Sequence, residues 1–343
     1  MPCIEWIGVG KNVPVATPPG RAFRKRTMNL SLMSNRVAAH YAGAGHAGIV
    51  GNNAADLGGL CRRKPKSRLC PFERVCNDRW KRSSTVVVDR PDEGFGRDEL
   101  VTALERGELV AHFQPKLDLR EASLSGVEAL VRWQHPRLGL VGPDRFIDAI
   151  KRHGLLPQLT STVLAQSCTQ VLAWRRAGRN LQVAINVEWP SVEDGSLLSE
   201  LNQTVAAFGL VPECLQVELS EQSPIRDKAA ALMQIQAIRK AGYSVAIDDF
   251  GMENASLQLL RELECDVVKL DRSLVRGIDR HPRAAMMLAG LVRLATSLGA
   301  EIVAEGVETE DELGCLLESG CHQMQGFLFS PALSGAELNR RYC

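Results

Sequence analysis

From Arg97 onward the chain alternates between two textures. Short apolar runs (SGVEALVRW, LQVAINV, CLQVEL, YSVAIDDF, CDVVKLD and EIVAEGV) are separated by stretches of helical periodicity. Those stretches are Phe146 to His153, Leu156 to Ala177, Lys228 to Ala241, Arg283 to Leu298 and Glu310 to Ser319. Strand followed by helix, repeated seven or eight times over roughly 245 residues, is the pattern of a parallel α/β domain. No Gly-rich GxGxxG follows the first strand, so the length and repeat count favour a TIM-like (βα)8 barrel over an open doubly wound sheet.

The polar residues sharpen this. Each apolar run ends in or beside a carboxylate, amide or lysine: Glu128, Asn186, Glu218, Asp248 with Asp249, Lys269 with Asp271, and Glu305. In a parallel barrel the carboxyl ends of the strands meet at one face, so these groups converge. One acidic residue at a strand end is ordinarily a loop-facing or capping group; six strands ending this way are not explained so. For Asn186 a turn role and a site role are equally open. Bare carboxylates gathered at a mouth repel, and hard oxygen donors without His or Cys point to Mg²⁺ or Mn²⁺ rather than zinc. The adjacent Asp248 and Asp249 suit a two-metal phosphoryl site. Trp133 and Trp189 read as packing residues, with stacking on a base as the alternative.

Composition matters once the chain is divided. Hydrophobic residues at 45% and charged residues at 24% are those of a globular protein, and the net charge is +1. Yet residues 1–90 carry 16 Lys/Arg against 5 Asp/Glu, leaving 25 against 35 in the remainder. The first 95 residues show no sustained periodicity and read as a basic, disordered N-terminal segment, followed by one domain over 96–343. The uncharged span Val37 to Ala55 is too rich in Gly, His and Asn for a membrane helix, and no apolar h-region follows the Arg21 to Arg26 cluster. The cytoplasm is then the default, and the ten cysteines are expected to be reduced. Cys61, Cys70 and Cys76 fit no zinc spacing. The Arg62 to Arg68 cluster reads as a solvated tail, with nucleic acid or an anionic membrane as the alternative partner. A later start at Met28 or Met33 is a further alternative.

At this point the residues carry a family. GVEALVRWQHPRLGLVGPDRFI, then AINV, VELSE, AIDDFG, VVKLD, AEGVET and QGFLFS, in that order between Glu108 and Leu333, resemble the EAL-domain phosphodiesterases that hydrolyse cyclic di-GMP. The resemblance implies a TIM-like barrel that uses two Mg²⁺ or Mn²⁺ to cut one phosphodiester and release linear pGpG. It implies Glu128, Asn186, Glu218, Asp248, Asp249 and Glu305 as metal ligands, with Glu128, Glu305 and Lys269 at the chemistry. Lys269 matches a lysine that positions or deprotonates the attacking water; an amine with an ordinary pKa near 10.4 is a poor base at neutral pH, so an orienting role is favoured. Gln114, Arg132, Asp271 and Gln325 match substrate-binding positions. Glu221 matches a glutamate that anchors the loop after the Asp pair. A homodimer is the family habit.

Two positions depart from that pattern. Where the family reads along the lines of T-G-Y-S-S-L after Gly251, this chain has Met252, Glu253, Asn254, Ala255, Ser256 and Leu257, losing a hydroxyl and a permissive glycine. His322 stands where Asp is common. The expected function is a cyclic di-GMP phosphodiesterase. The alternatives are a weak or inactive cyclic di-GMP receptor acting on a protein partner, resting on the altered loop, and a barrel scaffold served by the basic tail. An acidic body is compatible with an anionic dinucleotide once divalent ions reverse the local field.

Overall fold

The computed structural model describes residues 94–251 and 256–342. The expectations placed on residues 1–93 and on Met252 to Ala255 lie outside the described residues. Helix α1 (Arg97–Glu105) leads into β1 (Leu109–Asp118), β2 (Ser123–His135) and β3 (Gly139–Val141). Next come α2 (Ile147–Arg152), α3 (Leu156–Arg176), β4 (Gln182–Val187), α4 (Trp189–Glu193), α5 (Ser196–Ala207), β5 (Leu215–Ser220), α6 (Lys228–Lys240) and β6 (Ser244–Phe250). The chain continues through α7 (Ser256–Glu262), β7 (Val267–Leu270), α8 (Arg272–Val275), α9 (Pro282–Ser297), β8 (Glu301–Ala304), α10 (Glu310–Glu318), β9 (Gln323–Met324) and α11 (Gly335–Tyr342).

The strands follow the order β1-β9-β8-β7-β6-β5-β4-β2, and β2 returns to β1, which closes an eight-stranded barrel with β3 as a flap on β2. The expected TIM-like barrel is therefore present, and the expected helical stretches fall on α2, α3, α6, α9 and α10. Among the eight barrel strands one departs from the parallel pattern: β1 runs antiparallel to both β2 and β9. The reason is local. Only Leu119 to Ala122 separate β1 from β2, and a parallel connection needs a crossover of about a dozen residues or more. The turn is made by Asp118, whose Oδ1 accepts from the backbone N–H of Arg120 at 2.8 Å and of Glu121 at 3.3 Å, with Ala122 at φ +46°.

Period-two alternation sorts each barrel strand into two faces. On β5, Leu215, Val217 and Leu219 join the main hydrophobic core beneath the helices, while Gln216 and Glu218 are the buried polar residues between them. Val183, Ile185, Val245, Ile247, Val268, Leu270, Ile302 and Ala304 repeat the outward pattern on β4, β6, β7 and β8. Inside, Ala246, Val267 and Val303 form a small apolar cluster of their own. A second core gathers Trp133 with Phe146, Ile150 and Leu100, where the extension of β2 meets α1 and α2. No helix among the described residues is long and apolar enough to cross a membrane.

The connection out of β8 is held by one buried carboxylate. Thr309 caps α10 in a capping box with Glu312. Glu312 Oε2 accepts from the backbone N–H of Glu308 and Thr309, each at 3.0 Å, and Oε1 accepts from Gly277 N–H at 2.9 Å, which ties α10 to the turn after α8. Burial opposes ionisation of this group, but the three backbone donors outweigh it and lower its pKa. Glu312→Ala is expected to cost about 3 kcal/mol at pH 7, measured by urea unfolding. A lowered folded-state pKa contributes stability above the unfolded value of about 4.3 and loses it as pH falls through the folded value. The gap between variant and wild type should therefore narrow below about pH 4; a gap independent of pH would sink this account.

Candidate active site

The residues that alternate away from the helix-facing core meet at the end of the barrel where the parallel strands finish. Gln114 on β1, Glu128 on β2, Asn186 on β4, Glu218 on β5, Asp248 on β6, Lys269 on β7, and Glu305 and Gln325 just beyond β8 and β9 form one connected ring. Asn186 Nδ2 donates to Glu128 Oε1 at 2.8 Å, and Gln325 Nε2 donates to Glu128 Oε2 at 2.7 Å and to Gln114 Oε1 at 3.1 Å. Gln114 Nε2 donates to the Ser330 carbonyl at 3.0 Å. Lys269, fully buried, lies at the hub: its Nζ is 2.7 Å from Glu218 Oε2, 2.8 Å from Glu305 Oε1, 3.1 Å from Asp248 Oδ1 and 3.3 Å from Glu128 Oε2.

Consecutive strand residues point to opposite faces, so Asp248 and Asp249 need a device to serve one mouth. The β6–β7 ladder supplies it. Ile247 pairs with Val268 and Phe250 with Leu270, so two residues of β6 oppose Lys269 alone, which is a β-bulge. Asp249 sits in the left-handed region at φ +56°, donates its N–H to Asp248 Oδ1 at 2.9 Å, and accepts from Ser220 Oγ at 3.0 Å. Asp tolerates this conformation better than most residues do.

Electrostatics follow from burial. Burial pushes the pKa of Glu218, Asp248 and Asp249 up, and that of Glu305 well up, against the pull of Lys269. Burial also opposes ionisation of Glu128, but Lys269, Lys116 and the hydrogen bonds from Asn186 and Gln325 bring its pKa down to about 2. Burial works against the Lys269 ammonium as well; Asp248, Glu128, Glu218 and Glu305 reverse that and hold its pKa well above the ordinary value. Five carboxylates face two ammonium groups here, an excess of negative charge. Oxygens of Glu128, Glu218 and Asp248 lie within 4.8 Å of one another, close enough to share one cation. Gln325 Oε1 is buried without a hydrogen-bond partner. An all-oxygen, net-anionic donor set fits a hard divalent ion.

The sequence pattern of the EAL domain matches residues 97–332. The chain belongs to the EAL domain family. The cyclic di-GMP phosphodiesterase NbdA of Pseudomonas aeruginosa is 36% identical over 257 residues, covering 75% of this chain and 33% of NbdA. The cyclic di-GMP phosphodiesterase PdeR of Escherichia coli is 35% identical over 240 residues, covering 70% of this chain and 36% of PdeR. The chain thus spans about a third of the length of these curated relatives. The solved PaMucR phosphodiesterase in complex with c-di-GMP superposes with a TM-score of 0.66 at 33% identity, over 70% of this chain and 98% of that one.

Around the ring of this EAL domain, Glu221 Oε2 accepts from Gly251 N–H at 3.0 Å and Glu221 N–H donates to the Asp248 carbonyl at 3.0 Å, which ties the strand-end bulge to the loop after β5. Asp271 caps α8 by accepting from Ser273 N–H at 2.7 Å, and its charge is near enough to raise the pKa of Asp249. Half-buried Arg132 donates Nη1–H to the Val131 carbonyl at 2.8 Å and feels the charge of Glu128. Trp133 and Trp189 are buried, donating to Glu108 Oε2 and to the Ser220 carbonyl, so both pack and neither is open to a base. His322 is half-buried beside Asp118 and Arg120, away from the ring. Sequence reasoning missed Lys116 and Gln216. Each lies two residues from a recognised site residue, Gln114 and Glu218, and that spacing was the available signal.

Lys269→Met removes the cation at which four carboxylates meet. The expected cost is about 3–5 kcal/mol at pH 7, by urea or thermal unfolding. The carboxylates are costly to bury only when ionised, so the deficit should shrink as pH falls toward 5. A deficit that stays constant over that range would contradict the assignment of Lys269 as their shared counter-charge.

Proposed function

We propose that this chain hydrolyses cyclic di-GMP to linear pGpG with two divalent ions, Mg²⁺ or Mn²⁺. The observation that carries this reading is the connected ring of Glu128, Asn186, Glu218, Asp248, Glu305 and Lys269, with Glu128, Glu218, Asp248 and Lys269 buried, at the mouth of a barrel whose relatives include named cyclic di-GMP phosphodiesterases. Glu128, Asn186, Glu218, Asp248, Asp249 and Glu305 would hold the ions. Divalent ions bound there would supply Lewis-acid polarisation of a phosphoryl oxygen and a water of lowered pKa.

The chain's own residues do the rest. The reaction consumes one water: its oxygen forms a bond to phosphorus, the P–O3′ bond breaks, and a proton ends on the departing 3′ oxygen, leaving a 5′-phosphate. Lys269 enters as an ammonium held by four carboxylates, so it donates and orients and does not act as the base. Gln325 keeps its amide fixed on Glu128 and Gln114, which leaves the unpaired Oε1 available to a substrate or water proton. Gln114, Arg132 and Asp271 complete the substrate side; the Arg132 guanidinium offers a two-pronged donor to a phosphate.

The test is incubation of the protein with cyclic di-GMP and Mg²⁺ or Mn²⁺, with pGpG followed by chromatography. Turnover is expected, with its loss in EDTA. Glu128→Ala should lower turnover by at least about a hundredfold, the scale of losing one electrostatic stabiliser of the reacting centre, with the circular dichroism spectrum retained. Binding without turnover would replace this reading with that of a cyclic di-GMP receptor, which the loop sequence Met252 to Ala255 favours. In that case Met252→Thr combined with Glu253→Gly should raise turnover if the loop is what silences the site.

A further inference from the structure

Lys116 follows Gln114 by two residues on β1, so the two share a face, and Lys116 lies one layer deeper in the barrel. Its cross-strand neighbour on β2 is Gly126, where a Cβ would lie 3.0 Å from the Gln182 carbonyl oxygen of the adjacent β4. Across the barrel, Lys116 Nζ donates to Glu218 Oε1 at 2.6 Å and to Gln216 Oε1 at 2.8 Å, and Gln216 Nε2 donates to Ser244 Oγ at 3.0 Å. The side chains of Lys116 and Glu218 are 7% and 0% exposed. Lys269 takes the other oxygen, Oε2, at 2.7 Å. The two oxygens of Glu218 are therefore divided between two ammonium groups, one beneath and one at the mouth. Beneath Lys116 and Gln216 lies a polar cavity of about 380 Å³, bounded by Ser125, Gln182, Ser244 and Glu301 at the end of the barrel where the parallel strands begin.

We propose that Lys116 is a positioning residue for the metal site: it holds Glu218 Oε1 from beneath, so that Oε2 alone is presented to a cation at the mouth. The inference rests on the metal-dependent reading above, in which Glu218 is a ligand. A glutamate side chain can turn either carboxylate oxygen toward the mouth; Lys116 fixes Oε1 beneath, and the Gln216–Ser244 chain fixes Lys116 in turn. Partners that orient a ligand in this way are worth about 10- to 100-fold in metal affinity or activity.

The test is calorimetric titration of the full chain with Mn²⁺ alone, a readout independent of turnover. Lys116→Met keeps the length of the side chain and removes both charge and donor; it is expected to bind Mn²⁺ about 10- to 100-fold more weakly than wild type. Lys116→Arg, for which the cavity beneath leaves space, is expected to bind within about threefold of wild type, because a donor to Oε1 remains. Affinity of Lys116→Met within twofold of wild type, in a variant that folds by circular dichroism, overturns the proposal. If Lys116→Met does not fold, Lys116→Gln decides by the same titration and the same twofold limit. A wild-type chain that takes up no Mn²⁺ overturns the metal-dependent reading itself, and this inference with it. Tight Mn²⁺ binding by wild type with no loss in the variants overturns this inference alone.

Discussion

An ammonium with no contact to water, shared by four carboxylates, is the constraint on which the rest of this barrel depends. A charge cannot be buried without a partner except at a cost of many kcal/mol, and carboxylates crowded within a few ångströms repel. Lys269 settles both at once, with Glu218, Glu305, Asp248 and Glu128 all within 3.3 Å of its Nζ. The arrangement demands that β2, β5, β6 and β7 deliver their polar residues at one height, and only a closed sheet of fixed stagger brings non-adjacent strands to that point. Apolar residues in the same positions would make a more stable barrel. Ala246, Val267 and Val303 show the apolar side chains that fill the interior where no charge is needed. Charge gathered at one end of the interior is thus a mark of function rather than of stability.

Much of this was legible in the sequence, for a definite reason. In a barrel both faces of a strand are covered, so a polar residue inside an apolar run has no solvent to turn to and must face the interior. Glu128, Asn186, Glu218, Asp248, Lys269 and Glu305 could be picked out on that ground, and Gln114 and Gln325 by likeness to the family. The reversed first strand could have been read as well, since four residues between β1 and β2 permit only a hairpin. Lys116 was hidden by its class: a lysine in an amphipathic strand is usually solvent-facing, and only its two-residue offset from Gln114 tells otherwise.

The bulge was illegible for a different reason. Strict alternation would send Asp248 and Asp249 to opposite sides of β6, one inward and one toward the helices. No residue type in AIDDF signals an extra residue in the ladder, because the positive φ falls on an Asp rather than a Gly. The bulge depends on tertiary partners instead. Asp248 Oδ1 receives the Asp249 N–H, Ser220 Oγ on β5 holds the Asp249 carboxylate, and the Asp248 carbonyl takes the Glu221 N–H. A strained backbone persists where its surroundings over-determine it, and strained positions of this kind gather at working sites.

Those same contacts bear on what the unusual residues after Gly251 do to the site. Gly251 has φ +102°, a conformation that disfavours any side chain, and a Cβ there would lie 2.5 Å from Leu274 Cδ1. Its N–H is held by Glu221, and Glu221 is itself held to the backbone of Asp248. The stem from which residues 252–255 depart is therefore set by Glu221, Gly251 and α8, and none of these depends on a Thr or a second Gly further along. Asp248 and Asp249 take their positions from β5, from β7 and from each other. The change of sequence at Met252 and Glu253 therefore removes none of the contacts that position Asp248, Asp249 and Gly251, since each of those is made by residues outside that stretch.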